Sequence, residues 1–147
     1  MTTRTEIWLA LANTLKAKAS GTFPTISRRF KYWDQLSAVQ TPALYIVQDQ
    51  ETHERMTAVP DKRTLSGRLI IYTKVEQASD TEDSVPADVM NAALDAVEAA
   101  LDPAPWPNVQ TLGGKVAHCW IEGDVIMEDG AVDGIGLAVV PIKILVP

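Results

Sequence analysis

Two long β-prone runs with a proline turn between them constrain this chain most. Ala43-Leu44-Tyr45-Ile46-Val47-Gln48 leads into the polar stretch Asp49 to Met56, and Arg63 to Val75 contains Leu69-Ile70-Ile71-Tyr72-Thr73. β-Branched and aromatic residues in such runs suit a pleated, half-buried surface. Pro60-Asp61-Lys62 presets a turn between them. The pair is therefore expected as an antiparallel hairpin. Its far ends are polar, which predicts that it projects from the domain around residues 48–68. A lone hairpin is marginal in water, so its apolar part needs further strands and a cover.

Two helical patterns can provide the cover. Thr3 and Glu6 have capping-box spacing, which satisfies two free amides at a helix start. Ile7, Trp8, Leu11 and Leu15 follow at helical spacing, with alanines raising propensity. This predicts a helix over about residues 4–19, with Gly21 as a left-handed cap. The second pattern begins at Pro86, a residue suited to a first helical position. Asp88 favours the positive end of the dipole. Met90, Leu94, Val97 and Leu101 form one stripe, and Asp102-Pro103 ends it. Trp8, Leu11, Leu15, Leu94, Val97 and Leu101 are the expected helical core.

The C-terminal third is β-prone again. Val116–Glu122 and Val125–Met127 are separated by Gly123-Asp124, and a turn from Glu128 to Gly134 leads to Leu137–Val140 and Ile142–Val146. Pro141 interrupts the last run, predicting an edge strand or a bulge there. The order α-β-β-α-β-β predicts one α+β domain over residues 1–147. Its sheet is mainly antiparallel, with both helices packed on one face. Residues 20–42 form a long connection without sustained period, and Gln77–Ser84 is expected as a solvated loop.

Composition narrows the function classes. No apolar run is long enough for a membrane span, and Met1 to Glu6 carries no secretion-signal pattern. The lone Cys119 fits a reducing compartment. The net charge of −6 argues against general nucleic-acid binding. The charge is also unevenly placed. Residues 1–75 hold eleven Lys/Arg against six Asp/Glu, whereas residues 76–147 hold two against thirteen. Such a split either decorates solvated faces or makes a dipolar surface that pairs with another copy or a partner.

Catalytic signatures are sparse. Asp49, Glu51 and His53 alternate and would share a strand face, so they could ligate a divalent metal. Their polar neighbours Gln48, Gln50 and Glu54 favour an ordinary solvated strand end. His118 and Cys119 are adjacent and so point to opposite faces of a strand. No nucleophile elbow, phosphate-binding fingerprint or EF-hand spacing is present. The expectation is therefore no cofactor, no metal and no enzymatic activity. The basic-aromatic segment Arg28 to Trp33 suits a protein contact better than a nucleic-acid one.

The order of features across nearly the whole chain resembles the bacteriophage tail terminators, or tail-completion proteins. It runs from the capped helix with Ile7, Leu11 and Leu15 through Arg29–Trp33, Pro42–Ile46 and Leu69–Tyr72. It continues with the helix Met90–Leu101, Leu112-Gly113-Gly114-Lys115-Val116, Trp120–Gly123 and a final aliphatic strand. The resemblance implies a structural virion protein of the tail or neck, assembled in the host cytoplasm. It would form a hexameric ring that ends tail-tube growth and offers a surface to head-completion or connector proteins. Genomic DNA would pass through without sequence-specific binding, and no catalytic residues are implied. Other readings remain: another head–tail joining or tail-tube component, a binding adaptor, or a metal-dependent hydrolase using Asp49, Glu51 and His53.

A closed ring needs two different, complementary patches on each subunit. Arg28, Arg29 and Lys31 are the expected basic patch, with Tyr32 or Trp33 as a buried anchor. Glu82, Asp83, Glu128 and Asp129 are the expected acidic patch on the neighbour. Contact of the arginines with the tube, or with DNA in the channel, is the rival use.

Overall fold

In the computed structural model, residues 2–74, 85–130 and 133–147 are described. Helix α1 spans Arg4–Ala19, and its N-terminus carries the reciprocal Thr3–Glu6 capping box. Thr3 N donates to Glu6 Oε2 at 2.6 Å, and Glu6 N donates to Thr3 Oγ1 at 3.3 Å. The C-terminal end differs from expectation. Phe23 N and Thr22 N both donate to Ala19 O, which closes the last turn. Gly21 is not among the positive-φ glycines, so no left-handed cap is used. Phe23 then turns inward and is buried.

Six strands form one mixed, mostly antiparallel sheet: β1 (Thr25–Ser27), β2 (Ala43–Glu54), β3 (Lys62–Lys74), β4 (His118–Ile121), β5 (Ile126–Glu128) and β6 (Ile135–Val146). Their spatial order is β1-β2-β3-β6-β4, and β5 also pairs with β6. Among the described residues, β1 and β2 pair in parallel and the other pairs are antiparallel. Helix α2 (Pro86–Ala100), with Pro86 in its first turn, carries the chain across the sheet from β3 to β4. The fold is α+β, as expected, but the element order differs: the short β1 is added, and the C-terminal third forms three strands, β4 to β6, where the expected order has two. The expected loop at Gln77–Ser84 lies outside the described residues.

Alternation along the central strands separates two cores. Leu44 and Ile46 of β2, Leu65, Leu69 and Ile71 of β3, and Ala138, Val140, Ile142 and Ile144 of β6 face both helices. Against them pack Ile7, Trp8, Leu11 and Leu15 of α1 and Met90, Ala93, Val97 and Ala100 of α2. Leu101 joins them, but Leu94 is only half-buried at the margin. The buried residues of α2 are Met90, Ala93, Val97 and Ala100, and Leu94 instead borders a sheet-side cleft with Met127 and Val140. On the opposite face, Ala43, Tyr45 and Tyr72 form a smaller cluster with Leu36 from the 28–42 connection.

The 48–68 hairpin is built from β2 and β3, with Gln48–Glu54 exposed. β6 accompanies β3 as far as Arg63, opposite Val146. A register shift between Gln48 and Gln50 leaves Asp49 as the extra residue of a bulge. There Gly67 lies beneath the Trp8 indole, and a Cβ at Gly67 would come within 2.6 Å of Trp8 Cη2.

Pro141 corrects the expectation of an edge strand or bulge. β6 is central, and its register with β3 is unbroken from Ile135 to Val146. The proline is tolerated because of where its nitrogen points. Pro141 O accepts from Glu122 N at 3.2 Å on the β4–β5 side. A strand residue turns its N–H and C=O the same way, so the missing donor faces that side too. It does so at the break between β4 and β5. Ile121 pairs with Ile142 and Ile126 with Val139, so β4 and β5 share one edge of β6 and the segment between them bulges around the proline. Gly123, at φ +114, passes over the ring, and a Cβ there would lie 3.2 Å from Pro141 Cγ.

Candidate subunit interface

The expected basic patch grows out of β1. Arg29 N donates to Ser27 Oγ at 3.0 Å, turning the chain away from the strand. Phe30 then folds onto the sheet, with ring centroids 5.7 Å from Tyr45 and 6.2 Å from Tyr72. Tyr32 packs edge-on against Phe30 at 5.1 Å. Lys74 Nζ donates to Leu36 O and Leu36 is buried, which fastens the connection further along. Burial pushes the Tyr45 and Tyr72 hydroxyls above the usual phenol range. Between the anchors Phe30 and Leu36, Lys31 and Asp34 are exposed, Tyr32 is 65% exposed and Trp33 47% exposed, and Arg28 and Arg29 before Phe30 are exposed too.

The acidic side is gathered at the other edge of the sheet. Asp95 and Glu98 lie on α2, Asp102 follows its C-terminus, and Glu122, Asp124 and Glu128 accompany β4 and β5, all exposed. Asp129 is half-buried at the start of the β5–β6 turn. Glu82 and Asp83 lie outside the described residues. Arg28–Lys31 follow β1, at the edge of the sheet away from β4 and β5. From β1 the segment folds back over Tyr45 of β2 and Tyr72 of β3 through Phe30. Other basic residues of the first half, Lys62, Arg63, Arg68 and Lys74, lie on the central strand β3.

Each edge also carries exposed apolar groups. Beside the basic patch stand Trp33 and Val39. Beside the acidic one stand Ile126, 69% exposed, and Met127, 49% exposed. Between α2 and β5 lies an apolar cleft of about 130 Å³. Leu94, Val97, Val125, Met127 and Val140 line it, and Glu98 stands at its rim. Sequence reasoning missed this cleft. Its one local sign is the unbroken apolar run Val125-Ile126-Met127 in an acidic setting, where alternation would make one of the three polar.

The metal-ligand candidates are arranged differently from a shared face. Asp49 is the bulge residue. Glu51 is engaged by Arg4, whose Nη2 donates to Oε2 at 2.9 Å and whose Nε also donates. His53 Nε2 lies 3.0 Å from Glu51 Oε2. The Arg4 guanidinium, followed by His53, holds the Glu51 carboxyl at about 2, below the usual range. Among the described residues, no group of three His, Cys, Asp or Glu is placed to hold a metal ion. The set therefore ties α1 to the hairpin.

His118 and Cys119 face opposite ways, as adjacent strand residues should. His118 Nδ1 accepts from Gln110 N at 3.0 Å, and its ring stacks on Trp120 at 4.9 Å. Cys119 belongs to the helix-side core, where burial pushes its thiol up to about 12. No helix among the described residues is long and apolar enough to cross a membrane. The sequence matches no protein-family model and no curated protein.

Proposed function

We propose that this chain is a structural subunit of a ring at the head-proximal end of a phage tail. There it ends tube growth and offers a surface for head joining. The reading draws on the order of sequence features described above. The observation that carries it is that one chain presents an exposed basic-aromatic segment, Arg28–Trp33, and a separate exposed acidic set around β4 and β5, each with exposed apolar groups nearby. Complementary patches at separate places on a subunit favour head-to-tail contacts, and such contacts close into a ring when the rotation per subunit permits. Exposed ion pairs contribute only about 0–1 kcal/mol each. Charge would therefore set encounter and register, while apolar contacts hold the assembly. In this role the chain performs no reaction. Its partners are further copies of itself, the tail-tube protein and a head-completion or connector protein, with DNA passing through the ring.

Electron microscopy of the purified protein, alone and with tail tubes, tests the reading. Hexameric rings that cap one end of the tubes are the expected result. A monomer that leaves the tubes uncapped refutes it. Decoration along the tube, or growth into tubes, would move the chain to the alternative role of a joining or tube component.

A further inference from the structure

We propose that the sheet face turned away from the helices is a two-fold interface with a second copy of this chain, with β6 along its centre. This pairing is separate from the ring contacts proposed above and does not rest on them. β6 is a central strand, yet it is apolar on both faces. Ala138, Val140, Ile142 and Ile144 are buried under the helices. On the other face Leu137, Val139, Pro141 and Leu145 are only half-buried. Strands that read as continuous apolar runs are those covered on both sides. β3 and the β4–β5 edge flank β6, so the missing cover belongs above this face. Ile70 and Ile126 continue the apolar band on either side of Val139, and Ile126 is 69% exposed. Exposed apolar bands of this kind mark contacts with other chains.

The two sides of β6 differ in a way that selects a second copy. On the β3 side the face is raised, because Phe30 and Leu36 lie over Tyr45 and Tyr72. On the β5 side Ile126 stands bare. A two-fold axis along β6 sets the raised side of each copy against the bare side of the other, and packed sheets favour such aligned strands. Charge follows the same symmetry. Arg68 lies beside Pro141 on the β3 side, and Glu122 lies beside the same proline on the other. Glu122 Oε1 accepts from Trp120 Nε1 at 3.3 Å, which holds its carboxylate on this face. The axis therefore brings Arg68 of each copy opposite Glu122 of the other, and Ile70 opposite Ile126. An axis across the strands would set Glu122 against Glu128 instead. Lys143 is the one cation on the β6 line. Its Nζ leans to β3 and donates to Ser66 Oγ at 2.8 Å, and four residues from Val139 it stands about 14 Å away, at the rim. Four strands by eight residues bury about 500 Å² per copy, near the lower bound for a specific pair, so micromolar association is expected.

Sedimentation velocity of the full chain across the micromolar range tests the pairing by charge exchange. Arg68→Glu and Glu122→Lys each put like charges at both symmetric contacts, and each should weaken self-association about tenfold or more. Mixing the two variants should restore it, because every contact then joins opposite charges. Arg68→Glu/Glu122→Lys in one chain should restore it too. Both positions are exposed, and circular dichroism checks that the fold is kept. Ile126→Asp should abolish pairing even in the mixture. Equal association in wild type and both single variants, or a mixture that stays apart, overturns the pair. Rings of one mass in wild type and single variants overturn the pair and leave the ring reading standing. Rings that pair in wild type and separate in the single variants support both. A wild type that stops at a dimer, lost in the single variants, supports the pair and overturns the ring. A monomer at every concentration overturns both.

Discussion

Replacing Gly67 with alanine should destabilise this protein, although alanine is ordinarily the stiffer and safer residue. The new methyl would lie 2.6 Å from Trp8 Cη2, 2.9 Å from Trp8 Cζ3 and 2.9 Å from Val47 O. Carbon atoms rest at about 3.5–4.0 Å, so the indole must withdraw by about 1 Å. It has little room, because Trp8 is 3% exposed and its neighbours Ile7 and Leu11 are fully buried. The Val47 carbonyl belongs to β2, next to the Asp49 bulge, and moves only with its strand. Overpacking of this kind costs about 1–3 kcal/mol. Reduced freedom of the unfolded chain returns about 0.4–1 kcal/mol. The expected net loss is about 1–2 kcal/mol, a fall in Tm of roughly 3–8 °C for a chain of this size. Urea unfolding followed by circular dichroism measures it. Trp8→Phe removes the outer indole ring, so the two changes together should cost less than their separate costs combined, by about 1 kcal/mol. Gly67→Ala at or above wild-type stability, or strictly additive changes, would refute the close packing of Trp8 on β3.

Three further outcomes follow from the same geometry. Val140→Pro should cost about 3 kcal/mol or more by denaturant unfolding, since it removes a donor facing β3, whereas Pro141→Ala should stay within about 1 kcal/mol. Met90→Ala should cost about 2–5 kcal/mol and Leu94→Ala about 1 kcal/mol, because Met90 is fully buried and Leu94 sits at the cleft margin. The Glu51 carboxyl is lowered from 4.5 to about 2 by Arg4 and His53. Its contribution to stability is therefore complete above about pH 4.5 and lost as the pH falls toward 2. Carbon-detected NMR titration should find its midpoint near 2, rising toward the ordinary carboxylate range in Arg4→Gln.

The most legible parts of the fold rest on interactions a few residues long. Thr3 and Glu6 are three positions apart, and their bonds form wherever a helix begins there. Pro86 and the Met90–Val97 spacing work the same way, through the fixed period of one helix. The β2–β3 hairpin is also local, joined by one short turn. These signals supported the α+β class and the two-helix cover.

Leu94 shows where period alone stops. Helical spacing places it in the apolar stripe, but in the fold it borders the cleft between α2 and β5 and is only half-buried. What stands opposite a helical position decides that, and spacing along one helix carries no information about it.

Pro141 and the charged segments were decided entirely by long-range placement. The sequence states that position 141 lacks a donor. It does not state which strand lies on that side, and here the answer is the gap between β4 and β5. Likewise, the sequence determines that basic residues crowd the first half and acidic residues the second. The fold distributes that list among α1, the central strand β3 and the segment after β1 on one hand, and α2 and the β4–β5 region on the other. The physical reason is common to both. Side-chain chemistry and local period are properties of a few consecutive residues. Which strands become neighbours depends on the joint burial of residues far apart in the chain, and only the packed sheet resolves it.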